Sequence, residues 1–232
     1  MNVFLGERLK NYVISIHGEF PNSKIIPVGA DERPFKDLPS FKTNWPIEIL
    51  YCGNFGNMHD SKTFFDLCKK GIDDAFTFTF HCSGPKRKIL EGFRKKYINN
   101  LENSLKIGEG LSHNEWIKKM RSSPIALVTM REGAEEVVMP SKTYSAMMAG
   151  QAILAIAPEN SDLVDLIKKT DCGWWIPPGD SNSLSHLLKE LNAKPGLIVE
   201  KRQNSLEAAN EYFGQSNLAK EWVSLFHDLQ NP

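Results

Sequence analysis

Between Ile47 and Asp180 the chain repeats one alternation: a short apolar run, a turn carrying glycine or serine, then a stretch with helical spacing. The runs are IEILYCGN (47–54), FTFTFHCSG (76–84), LKIGEGL (105–111), PIALVTM (124–130), QAILAIA (151–157) and CGWWIPPGD (172–180). Short runs of this kind, bounded by turn residues, read as buried strands. The segments between them, such as DSKTFFDLCKKG and ENSDLVDLIKKT, place apolar residues on one helical face. Strands joined by helices of about ten residues imply right-handed crossovers and parallel pairing, with helices on both faces. The expected fold is therefore α/β, a doubly wound, mainly parallel six-stranded sheet of Rossmann-like kind with C-terminal helices.

Local signals sharpen the boundaries. Ser112 with Glu115 three positions on forms a capping box. Gly71 and Gly150 sit where helices should close. The segment 199–232 and the preceding SLSHLLKELN are helical in pattern, the former expected to pack back as a tail. Residues 1–44 differ: one amphipathic helix, a strand KIIPVGAD and a proline-spaced loop. They read as a connector, which leaves 45–198 as the central domain.

Composition excludes several classes. Lysine plus arginine equal aspartate plus glutamate at 28 each, a balance that argues against a nucleic-acid-coating protein. No apolar run approaches the roughly 20 residues of a membrane helix. The opening MNVFLGERLKNYV puts Glu7, Arg8 and Lys10 where an export signal needs its apolar centre, so a cytoplasmic location is expected. Cys52, Cys68, Cys82 and Cys172 lack metal-type spacing and read as packed, reduced thiols. No metal site and no ordered Ser-His-Asp set is expected.

In open parallel sheets ligands bind beyond the carboxyl ends of the strands. After the first strand, GNFGNMHD carries Gly53 and Gly56, which admit close backbone approach and suit a phosphate, or serve turn geometry alone. After the fourth comes GAEEVVMPSKTYSAMMAG. Pro140 presets a helical turn, and Ser141 and Lys142 fall at its start. The helix dipole disfavours a lysine there, a cost that an anion sharing the site would offset. Glu135 and Glu136 could accept hydrogen bonds from sugar hydroxyls. Against this stands a solvated loop with its lysine in water.

YCGNFGNMHD, EEVVMPSKTYSAMMAGQAILAIAPENSDLVDLI and CGWWIPPGD together resemble the C-terminal, nucleotide-sugar-binding half of GT-B glycosyltransferases. The nearest group is the retaining family 4 enzymes of bacterial surface-polysaccharide synthesis. The resemblance implies a UDP-, GDP- or ADP-sugar as substrate, no cofactor and a glycan or lipid-linked acceptor. It implies that Gly53, Asn54, Phe55 and Gly56 hold the diphosphate by their amides, with Pro140, Ser141 and Lys142 beside it. Lys86 or Arg87, after the second strand, would with Lys142 supply the charge of the basic pair that this chain lacks, and Glu135 or Glu136 would contact the sugar. Tyr144 would lie under the nucleotide, and Gly108, Gly110 and Leu111 would meet the base. Glu135 and Lys142 are the catalytic candidates. Ser145 stands where such enzymes carry a second glutamate, and Asn54 and Asp60 stand where they carry a basic pair. A complete enzyme of that kind also has an N-terminal acceptor-binding domain, so a partner domain or separate subunit is expected, with weak or no transfer by this chain alone. Attachment to the inner face of a membrane through that partner or acceptor fits the same picture. A nucleotide-binding or partner-docking module without turnover, or a piece of a nucleotide-sugar epimerase, would share the architecture.

Overall fold

The computed structural model describes residues 1–230. Strands β3 (Ile47–Asn54), β4 (Phe76–Ser83), β5 (Leu105–Gly108), β6 (Ile125–Thr129), β7 (Ala152–Ile156) and β8 (Gly173–Ile176) form one sheet. Their order is β5-β4-β3-β6-β7-β8, with every neighbouring pair parallel. The chain winds outward from β3 through β4 to β5, then crosses to β6 and winds outward the other way. The order therefore reverses between β3 and β6, and their carboxyl ends flank the crevice of a doubly wound sheet.

Alternation along each strand divides the core into two layers. Ile47, Ile49 and Tyr51 of β3 join Phe76, Phe78 and Phe80 of β4 on one face. Helices α2 (Lys62–Lys70), α3 (Pro85–Lys96) and α8 (Ser181–Ala193) cover it with Phe64, Leu67, Leu90, Leu184 and Leu188. Leu50, Ala126, Val128, Ile153 and Ala155 point the other way. They meet Met120 of α5 (His113–Ser122), the buried side of α6 (Lys142–Met148), and Leu163 and Val164 of α7 (Asp162–Thr170). The capping box forms as its sequence predicts: the Glu115 amide donates to the Ser112 hydroxyl, and the Ser112 amide to the Glu115 carboxylate.

The connector is more structured than its sequence signals. Besides α1 (Glu7–His17) it holds a second, two-stranded parallel sheet of β1 (Asn2–Phe4) and β2 (Ser23–Ile25). The expected strand KIIPVGAD thus pairs over only its first two residues, with Ser23 added. Asp162 accepts the Arg8 backbone amide and Asp165 accepts the Arg8 guanidinium at 2.8 Å, so α1 is held at its first turn by α7. Farther on, Phe35 is buried against Trp116, and Arg121 donates to the carbonyls of Pro34, Lys36 and Asp37.

The expected boundary at residue 198 falls inside a helix, α9 (Gly196–Ala208). Ile198 belongs to the core and the buried Arg202 Nε donates to the Gly150 carbonyl at 2.8 Å, so this helix is part of the domain. One π turn (Ala209–Phe213) separates it from α10 (Gln215–Gln230), whose Leu218 and Leu225 pack on Ile26 and Val3 beside the small sheet.

Candidate functional site

A cleft of about 550 Å³ opens at the carboxyl ends of β3 and β6. Cys52, Gly53, Asn54, Met58 and His59 form one wall, residues 138–142 and Ser145 the other, and Thr129 the floor between them. Two of the expected loops therefore converge, one on each side of the switch point.

Lys142 is the group that most needs explanation. Its Nζ is shielded from solvent and has no hydrogen-bond partner. It lies 3.7 Å from the centroid of the Tyr51 ring, a cation–π contact that holds the ammonium without satisfying its N–H donors. Burial lowers its pKa to about 8, opposed by the Cys52 and Cys82 thiols, so the group is mainly cationic at neutral pH. Gly53 has φ 125°, and a Cβ on it would stand 3.7 Å from that nitrogen, so the glycine leaves the ammonium facing bare backbone. Tyr51 is fully buried and fixed by its hydroxyl, which donates to the Asn54 carbonyl at 2.8 Å.

His59 completes the wall. Its Nδ1 lies 2.7 Å from the Thr129 carbonyl, which can only accept, so Nδ1 carries the proton. Burial first, and the Lys142 charge second, hold its pKa down to about 4. At neutral pH the ring is uncharged and its Nε2 is an acceptor. The Lys86 ammonium donates to the His59 carbonyl, which brings a second cation to this rim, and burial lowers its pKa too. Among the described residues, no group of three or more His, Cys, Asp or Glu side chains could hold a metal ion. No described helix is long and apolar enough to cross a membrane.

The other candidates divide. Gly53, Asn54, Pro140, Ser141 and Lys142 line the cleft, whereas Gly56, Glu135 and Glu136 do not. Glu135 keeps one carboxylate oxygen buried without a partner. Glu136 faces a separate hollow of about 170 Å³ with Leu5, Leu9 and Asp162. The Phe55 amide is not free for a phosphate, because it donates to the Ser83 carbonyl at 2.8 Å while the ring fills the core. Tyr144 does not lie under the cleft either: it is buried against Phe213, with ring centroids 4.9 Å apart. Gly108 sits two strands away, where a Cβ would meet the His81 ring at 2.4 Å. Its carbonyl accepts from Arg87 at 3.1 Å, and the exposed Gly110 and half-buried Leu111 follow on the same loop. At about 4.8 Å per strand that loop lies roughly 10 Å along the rim from β3.

No protein-family model matches the chain. Over 168 residues it is 24% identical to the probable glycosyltransferase WbjE of Pseudomonas aeruginosa, a match that covers 72% of this chain and 41% of that protein. Among solved structures, sucrose-phosphate synthase of Thermosynechococcus elongatus superimposes with a TM-score of 0.74 at 16% identity, covering 99% of this chain and 58% of that one. Alr3699/HepE of Anabaena, in complex with UDP and glucose, gives 0.75 at 14%, covering 97% and 62%. WaaG, a glycosyltransferase involved in lipopolysaccharide biosynthesis, gives 0.66 at 14%, covering 90% and 58%. This chain thus spans less than half of the curated relative and about three fifths of each of these structures. Its architecture is that of one half of a GT-B glycosyltransferase fold.

Proposed function

We propose that this chain is the nucleotide-sugar-binding half of a glycosyltransferase and that its cleft takes the donor diphosphate. The observation that carries the reading is the buried, partnerless ammonium of Lys142 at the switch-point cleft. A cation held away from water without a counterion is unfavourable, and a diphosphate would supply the charge and the acceptors it lacks. Lys142 then meets a phosphate oxygen, with the backbone of Gly53, Asn54 and Ser141 beside it and Lys86 as a second source of positive charge. Glu135, which lies outside the cleft lining but keeps an unpartnered carboxylate oxygen, is assigned to the part of the sugar that would extend beyond the cleft, and the loop of Gly108, Gly110 and Leu111 to the base. As the diphosphate departs it gains negative charge, which the preset ammonium stabilises. The sequence match to WbjE and the UDP complex of HepE support this assignment. Transfer also requires an acceptor face supplied by a second domain or subunit.

Titration calorimetry with UDP, GDP and ADP tests the reading. One of them should bind, and Lys142→Ala should weaken it about 10- to 100-fold, the range for loss of a charge-assisted contact. No binding of any of the three, or equal affinity in the variant, overturns it.

A further inference from the structure

Helix α3 carries charge that neither the fold nor the cleft uses. Lys88, Ile89, Gly92, Lys95 and Lys96 recur at helical spacing, and all are exposed. From Pro85 to Lys106 the sequence holds seven basic residues against two acidic ones, although the whole chain is neutral. The helix dipole accounts for Lys95 and Lys96, which lie in the last turn. It does not account for the first turn, which holds Lys86 and Arg87 and no acidic residue, with Lys88 following. Lys86 donates to the His59 carbonyl, and Arg87 pairs with Glu91 and Glu109. Among the described residues Lys88 and Lys95 have no ion-pair partner. Between these ammoniums Ile89 is 57% exposed, and Ile98, which opens the short helix α4 (Ile98–Leu101) after α3, is 46% exposed. The opposite side of α3 is committed to the fold: Leu90 is buried, and Phe93 stacks on Phe65 with centroids 4.5 Å apart.

We propose that the outer face of α3, with Ile98, docks on an anionic phospholipid bilayer. Unpaired ammoniums around isolated aliphatic side chains match the chemistry of an interfacial helix: cations at the lipid phosphates and apolar groups at headgroup depth. A nucleic acid would satisfy the lysines but leave both isoleucines in water, and this face offers no exposed aromatic ring for stacking. Lys86 ties the first turn of α3 to the carbonyl of His59, a residue of the cleft wall, so a bilayer on this face would lie near the cleft. The inference does not depend on which ligand the cleft takes.

Vesicle co-sedimentation of the full chain tests it. Vesicles containing about 30 mol% phosphatidylglycerol should sediment the protein at low salt, and neutral phosphatidylcholine vesicles should not. Raising NaCl to about 0.5 M should release it, because screening shortens the reach of surface charge. The triple variant Lys88→Glu, Lys95→Glu, Lys96→Glu should lose at least tenfold in partitioning with an unchanged melting temperature, and Ile89→Ser should lose a smaller factor. Equal sedimentation with neutral vesicles would place the attachment on another apolar surface and overturn the proposal. So would full binding by the triple variant, or no vesicle binding. Salt-sensitive retention of an RNA oligonucleotide without vesicle binding would assign the face to nucleic acid and overturn it as well.

Discussion

Replacing Lys142 by methionine should make the protein more stable and less able to bind. The folded state lowers the lysine pKa from 10.5 to about 8, so between those values the unfolded chain binds more protons. Stability attributable to this residue therefore rises with pH across that window, and the ionised lysine is a burden below it. Lys142→Met keeps an unbranched side chain over the Tyr51 ring, one atom shorter, but removes the charge. Its advantage over the natural protein should be about 3 kcal/mol at pH 7, shrink through pH 8–10, and nearly vanish at pH 10.5 and above. Urea unfolding of both proteins across that range checks the trend, and a pH-independent difference would sink it. The lysine was legible in the sequence because it stands at a helix start where the dipole disfavours it. Its ring floor was not, since Tyr51 lies far back in the chain and meets it only across the fold. Tyr144 was misread for a geometric reason. It stands two positions after Lys142, about 200° around the helix, and so faces the core, while Ser145 returns to the cleft side.

Among the elements, α6 shows how little sequence can place a site. Its end is closed by Gly150 at φ +66°, with the Gly150 amide donating to Met147 and the Gln151 amide to Ala146, a Schellman arrangement. A Cβ on Gly150 would stand 2.4 Å from the Phe41 ring, which also receives the Arg202 guanidinium at 4.1 Å. Gly150→Ala should therefore lose about 1–3 kcal/mol, from the left-handed backbone and from displacement of Phe41. Urea titration gives the number, and a neutral effect would mean that the connector yields freely at Phe41. The central strands β6 and β7 were readable because they are buried on both faces and so appear as unbroken apolar runs, whereas the edge strand β5 shows only a short apolar run closed by glycine. β1 and β2 were not, because three residues are too few for any period to show. The connector's packing was hidden likewise: Phe35 and Phe41 are single aromatic residues in a polar loop, and only their partners reveal their role.

On the scale of the molecule, the two sheets contrast. The large sheet is covered on both faces, but the small one has only two strands, and α1 buries none of its residues. Parallel sheets are ordinarily covered, and two strands alone are marginal. Beside them α10 buries Leu218 and Leu225 but leaves Trp222, Val223, Phe226 and Leu229 exposed. This end of the molecule has the chemistry of a surface on which a second domain would pack, as the proposed transferase reading requires. On the proposed reading donor binding needs only this chain, whereas transfer needs an acceptor oxygen held within reach of the sugar carbon. The two activities should therefore separate. With its UDP-, GDP- or ADP-sugar and a glycan acceptor, the purified chain should bind donor yet form no glycoside above spontaneous hydrolysis in a product assay by mass spectrometry. Adding a polypeptide that covers β1, β2 and the open face of α10 should restore transfer, while Phe226→Asp should abolish that rescue and leave donor affinity unchanged. Glycoside formation by the chain alone would show that the acceptor is held without a second face, and would move the search for its site back to the rim around His59.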